Sequence, residues 1–383
     1  MSTKHLVLIA VLALVGSGGT FALVTGTASA HWRNSGSSSS AKTESNKRWN
    51  KNWGQNNGAS ASATATASAS ASASASAPAS ASASASATNG GAVTTNGPSP
   101  DDFADINSVQ PNVQKAATQS GGSTGVFTAR CGRNENGHFN PDNFIVAPGV
   151  SNGAHHVHDY VGNLSTDGFS TNESLAAAGT TCAKGDKSAY FWPVLRTRSA
   201  NDAADADGNT GTILTPTTVS ITFRGSPTAK VTAMPSTLKA IMGDAKAFTN
   251  GVANAKASWS CTGFENRQLT DKYPLCPSGS KVVRTLNFPS CWDGINTDSA
   301  NHRTHIVFPD AAGACPANTK AVPQLRYRLT YALPANTGTN FAVDSFPEQL
   351  HKPVTDHADF ANFMPTSLMN QVVNCINSNR RCG

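Results

Sequence analysis

The sequence predicts a mostly β domain, a β-sandwich-like fold with long loops, few short helices and four disulfides, preceded by a disordered Ala/Ser-rich linker. Three observations support this prediction. Several short segments alternate apolar and polar residues, long stretches rich in Gly, Pro and Asn separate them, and all eight cysteines follow residue 130. The regular alternation of strands and helices that a parallel α/β sheet requires is absent from the sequence pattern.

Four segments have the alternating pattern of half-buried strands. They are residues 218–223, 281–288, 305–308 and 324–331. Two further segments predict helices: residues 236–243, and an amphipathic stretch over residues 367–376 in which Leu368, Val372 and Ile376 share one face.

The chain divides into three parts by composition. Residues 1–30 have a basic start, an apolar run and the sequence Ala-Ser-Ala at 28–30, which predicts a secretory signal peptide. Residues 31–100 are a basic and aromatic tail followed by an Ala/Ser linker, a composition too poor in apolar side chains to form a core. Residues 101–383 form the globular domain. We therefore expect a secreted, extracellular, monomeric protein without stable membrane insertion after cleavage.

The positive charge lies mainly in the tail. Residues 1–100 carry six Lys or Arg and one Glu, which leaves residues 101–383 with a net charge of +1. A nearly neutral domain lacks the basic footprint of a nucleic-acid binder, so nucleic acid is excluded as a partner.

The cysteines predict a disulfide framework. An even number in one domain, with no CxxC pair, fits four disulfides formed in an oxidising compartment. Because short loops cost little entropy to close, we expect neighbours in sequence to pair. The predicted bonds are Cys131–Cys182, Cys261–Cys276, Cys291–Cys315 and Cys375–Cys382.

Histidines cluster in three segments, around residues 155–159, 291–305 and 351–359. Neutral imidazoles at positions i and i+2 of a strand form a chelating edge. The candidate metal ligands are His156, His158, His305 and His357, with His302 as a further candidate, and a site of this kind would suit Zn or Cu, although the sequence identifies no cofactor. The alternative is that these histidines only hydrogen-bond to loops.

These segments resemble a known family. Order and spacing over roughly residues 125–378 are similar to the secreted domain-of-unknown-function family number nineteen-ninety-six of actinobacteria and fungi. The motifs that carry the resemblance are His156, His158, Tyr160, Gly162 and Asn163; Ser-Ala-Tyr-Phe-Trp-Pro at 188–193; Phe-Pro-Ser-Cys-Trp-Asp-Gly at 288–294; Asp298-Ser299; His302 and His305; Cys315-Pro316; and His357-x-Asp359-Phe360. The chain departs from the family at Ala358, where Gly is usual, and at Asn362-Phe363, where Gly-Trp is usual. The resemblance implies a secreted β-rich domain but no particular reaction.

Three functions remain open from the sequence. The first is an enzyme of the glycoside hydrolase kind, or a metal-dependent one, acting on extracellular or cell-wall polysaccharide. Asp293, Asp298 and Asp359 are its candidate catalytic carboxylates, and the candidate substrate-binding rings are Tyr160, Tyr190, Trp192 and Trp292. The second is a metal-binding protein, with or without catalysis. The third is a non-catalytic carbohydrate- or wall-binding module.

The three histidine clusters are expected to share one cleft. Imidazoles and carboxylates scattered through an apolar core would each need a separate hydrogen-bond partner, whereas grouped side chains can satisfy one another. We therefore expect His156, His158, His305 and His357 to meet around one point, with Asp293 and Asp359 lining the same cavity.

Overall fold

The computed structural model describes residues 97–199 and 201–383. The predicted signal peptide and all but the last four residues of the tail and linker lie outside the described residues. Within the described part, strands predominate over helices, as the sequence predicts.

The described elements are short. The strands are β1 (Phe103–Asp105), β2 (Val126–Ala129), β3 (Phe139–Asn140), β4 (His158–Gly162), β5 (Ala189–Pro193), β6 (Leu195–Thr197), β7 (Thr212–Ile213), β8 (Thr218–Arg224), β9 (Lys239–Gly243), β10 (Trp259–Cys261), β11 (Tyr273–Leu275), β12 (Val282–Asn287), β13 (Cys291–Trp292), β14 (Ile306–Val307), β15 (Lys320–Ala321), β16 (Gln324–Tyr331), β17 (Phe341–Val343), β18 (His357–Ala361) and β19 (Arg381–Cys382). The α-helices are α1 (Asn172–Ala177), α2 (Ala247–Asn250) and α3 (Thr366–Asn377), and single 3-10 turns span Pro100–Asp102, Ile106–Ser108, Ala183–Gly185, Pro347–Gln349 and Pro353–Thr355.

Two large sheets organise the domain. One has six strands in the order β10-β12-β16-β8-β2-β19, and the other has five in the order β3-β4-β5-β18-β9. Three smaller sheets have the strand orders β17-β6-β7, β14-β13-β15 and β1-β11. The inner faces pack together through aromatic side chains: Tyr190 and Trp192 of the five-stranded sheet contact Tyr327 of the six-stranded sheet. This is the sandwich-like arrangement that the alternating segments predict.

The five-stranded sheet is buried on both faces. Its inner face belongs to the main core, while Tyr160, Phe191 and Ile241 on its outer face belong to a second apolar cluster with Phe144 and Leu175. Helix α1 and loops, rather than a third sheet, supply that cover. The outer face of the five-stranded sheet is therefore an interior surface, and the candidate site lies on it.

The sequence pattern locates most of the long strands. The segments 218–223, 281–288, 305–308 and 324–331 contain β8, β12, β14 and β16, and the amphipathic stretch 367–376 lies within α3. The helix predicted over 236–243 is wrong. Lys239–Gly243 is strand β9, which pairs antiparallel with β18 at the edge of the sheet. Pairing and burial on both faces override the modest helical propensity of this segment.

All four predicted disulfides are present, pairing Cys131 with Cys182, Cys261 with Cys276, Cys291 with Cys315, and Cys375 with Cys382. No cysteine of the described residues is left free. Four disulfides fit a protein that folds in an oxidising compartment. Among the described residues, no helix is long and apolar enough to cross a membrane.

One fully buried ion pair joins the two large sheets. Arg284 of β12 donates to both carboxylate oxygens of Asp356, at 2.5 and 3.2 Å, and both side chains have no exposed surface. The same guanidinium donates to the carbonyl oxygen of Pro193 at 2.8 Å and to the Tyr331 hydroxyl. Arg284 thus fixes the end of β5 and the residue that precedes β18.

We expect Asp356→Asn to lower the free energy of unfolding by about 3–5 kcal/mol, because it leaves the Arg284 charge buried without its counterion. Guanidinium denaturation measures the change. Glu265→Gln is the matched control, because it breaks the partly exposed Arg328–Glu265 pair and should cost less than about 1 kcal/mol. Equal costs for the two variants would contradict the role given to the buried pair.

Candidate metal centre

Three histidines converge on the outer face of the five-stranded sheet. His158 begins β4 and lies opposite Pro193 of β5. The register of β18 with β5 places His357, the first residue of β18, level with the same proline from the other side. His156 precedes β4 by two residues and completes the group. The described chain thus brings together imidazoles separated by two hundred positions in sequence.

The ring nitrogens lie within 4.8 Å of one another, and two of their three separations match those of ligands to one ion. The Nε2 atom of His156 lies 3.1 Å from Nε2 of His158 and 3.2 Å from Nε2 of His357. A tetrahedral metal with nitrogen ligands at about 2.0–2.1 Å holds neighbouring ligand atoms about 3.3 Å apart. Only 2%, 0% and 4% of His156, His158 and His357 are exposed, so bulk water does not separate the rings.

Backbone carbonyls fix two of the three tautomers. Nδ1 of His158 lies 3.0 Å from the carbonyl oxygen of Asp142, and Nδ1 of His357 lies 2.9 Å from that of Thr355. A carbonyl only accepts, so each Nδ1 carries the proton and each Nε2 presents a lone pair. Ligating histidines are commonly oriented by such contacts of the other ring nitrogen.

The Nε2 lone pairs of His158 and His357 compete for a single hydrogen-bond donor, Nε2 of His156. Nε2 of His158 and Nε2 of His357 both face Nε2 of His156, and one N–H can donate well to only one of them. Protonating a second ring is unfavourable, because burial, followed by repulsion from His357, lowers the pKa of His158 to about 3. Burial and repulsion from His158 and His357 also hold the pKa of His156 well below its ordinary value. A bound cation satisfies all three lone pairs at once.

Aromatic rings enclose the cluster. Phe346 packs edge-on against His156 with ring centroids 5.3 Å apart, and Phe191 packs against His158 at the same separation. The Tyr160 hydroxyl, two residues after His158, lies 2.7 Å from the Asn140 amide oxygen and 2.9 Å from the same Asp142 carbonyl that accepts from His158, so these two acceptors share its one proton. The rings therefore have little freedom to turn away from one another.

Asp359 lies on the same face, two residues after His357. Its carboxylate is buried, and neither oxygen accepts a hydrogen bond of good geometry from the described residues. Burial raises the pKa of Asp359 to about 7, against the opposing effects of the Asn143 side chain and Arg303. Of the three candidate catalytic carboxylates, Asp359 alone shares a sheet face with the histidine cluster.

The comparison with protein families identifies the domain that carries this cluster. The model described as "Domain of unknown function (DUF1996)" matches residues 143–363, more than half of the chain and all three histidines. The chain belongs to the DUF1996 family. Searches of the curated proteins and of the solved structures found no match.

The loop before β14 of this DUF1996 domain does not join the cluster, contrary to prediction. Nδ1 of His305 lies 2.9 Å from the Ser299 hydroxyl, and its Nε2 donates to the Lys239 carbonyl oxygen at 2.7 Å. Both ring nitrogens therefore have other partners, and His305 is not a fourth ligand. His302, the further candidate ligand, instead contacts Asp298, and its Nδ1 lies 2.9 Å from the carboxylate.

Asp293 and Asp298 have local structural roles. Asp293 accepts hydrogen bonds from the backbone N–H groups of Ile295 and Asn296, which closes an exposed turn after β13. The Asp298 carboxylate contacts Nδ1 of His302, and its other oxygen lies 3.4 Å from Nζ of Lys239. The described contacts place neither carboxylate on the cluster, so Asp359 shares the sheet face of the three histidines, whereas Asp293, contrary to prediction, does not.

Most of the candidate substrate-binding rings are in the interior. Tyr160, Tyr190 and Trp192 have 1% or less of their surface exposed, and Tyr190 donates to the buried Asp186. They pack the sheets and cannot stack on a polymer. Trp292 alone is partly exposed, with its indole N–H donated to the Asn296 carbonyl and Lys320 over its ring.

Several site residues escape detection from the sequence. The Asp142 and Thr355 carbonyls act through backbone atoms, which side-chain patterns do not reveal. Phe346 lies in no motif that would distinguish it from other aromatic residues of loops. Arg303 lies in the 291–305 segment, whose histidines were predicted as ligands. It donates to the carbonyl oxygen of Gly243, which pairs with His357 in the sheet. This segment therefore contacts the strand next to the cluster through an arginine and not through a histidine.

We expect Asp293→Ala to destabilise the domain by about 0.5–1.5 kcal/mol, the net worth of a lost hydrogen-bonded turn. The variant should retain as much metal as the unaltered protein does, because Asp293 belongs to a loop separate from the His156–His158–His357 cluster. Thermal denaturation and elemental analysis of the same preparation measure both quantities. Loss of bound metal in a folded Asp293→Ala protein would contradict the separation described above.

Proposed function

We propose that this DUF1996 domain binds a transition metal ion, Zn²⁺ or copper, through Nε2 of His156, His158 and His357. The observation that carries the proposal is the convergence of three buried Nε2 atoms, two of them with their protons committed to Nδ1. Imidazole nitrogen suits both metals, and three histidines leave one coordination position for water or another small ligand.

The burial of the cluster favours storage, structural use or chemistry on small molecules. A sugar polymer would have to reach rings of which at most 4% is exposed. Direct cleavage of polysaccharide at this metal therefore has less support than metal binding alone. A secreted, disulfide-bonded domain that holds a metal in a closed site is the function that the described residues favour.

Elemental analysis of the purified full chain tests the proposal. We expect about one equivalent of Zn or Cu, and a loss of affinity above about 100-fold in His158→Gln, since even changes to groups behind the ligands cost 10–100-fold. His302→Gln is the matched control, because His302 is a partly exposed histidine outside the cluster.

The control variant should bind metal as the unaltered protein does. A circular dichroism spectrum of His158→Gln separates loss of metal from loss of fold. Substoichiometric metal in the unaltered protein after incubation with both ions, or equal affinity in folded His158→Gln, would refute the metal site.

Metal removal should also change stability. A chelator that strips the ion should lower the free energy of unfolding by about 2.7 kcal/mol when compared with metal at one hundred times its Kd, because only the native state holds the preformed site. Thermal melts with and without chelator measure this, and His158→Gln should show no difference. A chelator effect that persists in the variant would assign the ion to another place.

A further inference from the structure

The outward face of the six-stranded sheet carries a second group of unusual side chains. The alternation of β8 and β16 turns Phe223, Tyr327 and Leu329 into the core and leaves their polar neighbours outside. The outward residues that are not buried are polar or basic with the exception of Val126, and Val283 of β12 faces the same side but is buried. The unburied residues are Val126 and Thr128 on β2; Thr218, Ser220, Thr222 and Arg224 on β8; Gln324, Arg326 and Arg328 on β16; Thr285 and Asn287 on β12; and Arg381 on β19.

The strand register brings three of the arginines together. Arg381 pairs with Val126, which pairs with Arg224 on the next strand. Arg326 lies opposite Thr222, two residues from Arg224, so Arg224 and Arg326 are diagonal neighbours. Diagonal Cα atoms of adjacent strands lie about 7–8 Å apart, and strands are spaced by about 4.7–4.9 Å, so the three side chains lie within reach of one extended ligand.

These three arginines have no acidic partner among the described residues. The arginine ion pairs found there involve Arg133, Arg196, Arg284 and Arg328. Arg326 donates to the neutral amide oxygen of Asn287, and only Arg328 on this face is neutralised, by Glu265. Burial and then repulsion from Arg224 lower the pKa of Arg326 to about 10. Burial and then repulsion from Arg381 also lower the pKa of Arg224. Partly buried like charges held together without a counterion raise the free energy of the domain unless an anion covers them.

We propose that this arginine face, defined by Arg224, Arg326 and Arg381, binds an anionic polysaccharide through its carboxylate or sulfate groups. Guanidinium groups match the geometry of oxyanions, and the hydroxyl and amide side chains between them can hydrogen-bond to sugar hydroxyls. The arginines lie in a row across four neighbouring strands, on β16, β8 and β19, instead of surrounding one point, which suits repeated charges along a polymer. Nucleic acid fits less well, because no outward residue of these strands is aromatic and could stack on a base.

This surface is separate from the metal centre, which lies on the other large sheet, and its test does not depend on bound metal. Affinity electrophoresis of the full chain through gels containing polygalacturonate, heparin or neutral dextran measures binding. We expect retardation by at least one acidic polymer that weakens with added salt, and none by dextran. The double variant Arg224→Gln/Arg326→Gln should weaken binding by at least about tenfold, a loss of 1.4 kcal/mol or more.

Arg328→Gln is the matched control, because Arg328 lies on the same strand and face but is already paired with Glu265. It should weaken binding by less than about threefold. The metal-site variant His158→Gln should bind the polymers normally, which separates this proposal from the previous one. The proposal is overturned if neither acidic polymer retards the protein, if dextran does so equally, if the folded double variant is unchanged, or if oligothymidylate competes better than the acidic glycans.

Discussion

The buried contact between Arg284 and Asp356 is the constraint on which the site depends. It ties β12 of one large sheet to the residue before His357 on the other, and it also holds the Pro193 carbonyl between the strands of His158 and His357. A buried pair of this kind adds little net stability over apolar packing, but removing one partner is costly. Its contribution here is positional, because it sets where β5 ends and where β18 begins, and therefore where the two imidazoles meet.

The site chemistry follows from that placement. Once carbonyls hold the Nδ1 protons of His158 and His357, their lone pairs point at a third imidazole in a space that excludes water. Burial disfavours the protonated rings that would otherwise bridge them. The cluster of His156, His158 and His357 is thus suited to a cation, and the arginine face on the other large sheet is suited to an anion.

The sequence predicts the class of fold, the disulfide pairs and the three central histidines of the site, but not the hydrogen bonds that loop residues make. His156 and His158 are recognisable from their i and i+2 spacing, although only His158 lies in a strand, and the third cluster of histidines supplies His357. His305 also belongs to a cluster of histidines, yet both of its ring nitrogens hydrogen-bond elsewhere, one with the Ser299 hydroxyl and the other with the Lys239 carbonyl oxygen. Tyr190 and Trp192 were expected at a binding surface, but their apolar area favours the interior of the sandwich. Residues 236–243 became an edge strand because pairing with β18 outweighs local propensity.

The most direct test of the account is a crystal structure of the metal-loaded protein, with diffraction recorded on both sides of the Zn or Cu absorption edge. The account predicts one anomalous peak about 2.0–2.1 Å from Nε2 of His156, His158 and His357, with the Nδ1 contacts to Asp142 and Thr355 retained. A peak elsewhere, or three rings turned apart with water between them and no anomalous signal, would contradict it.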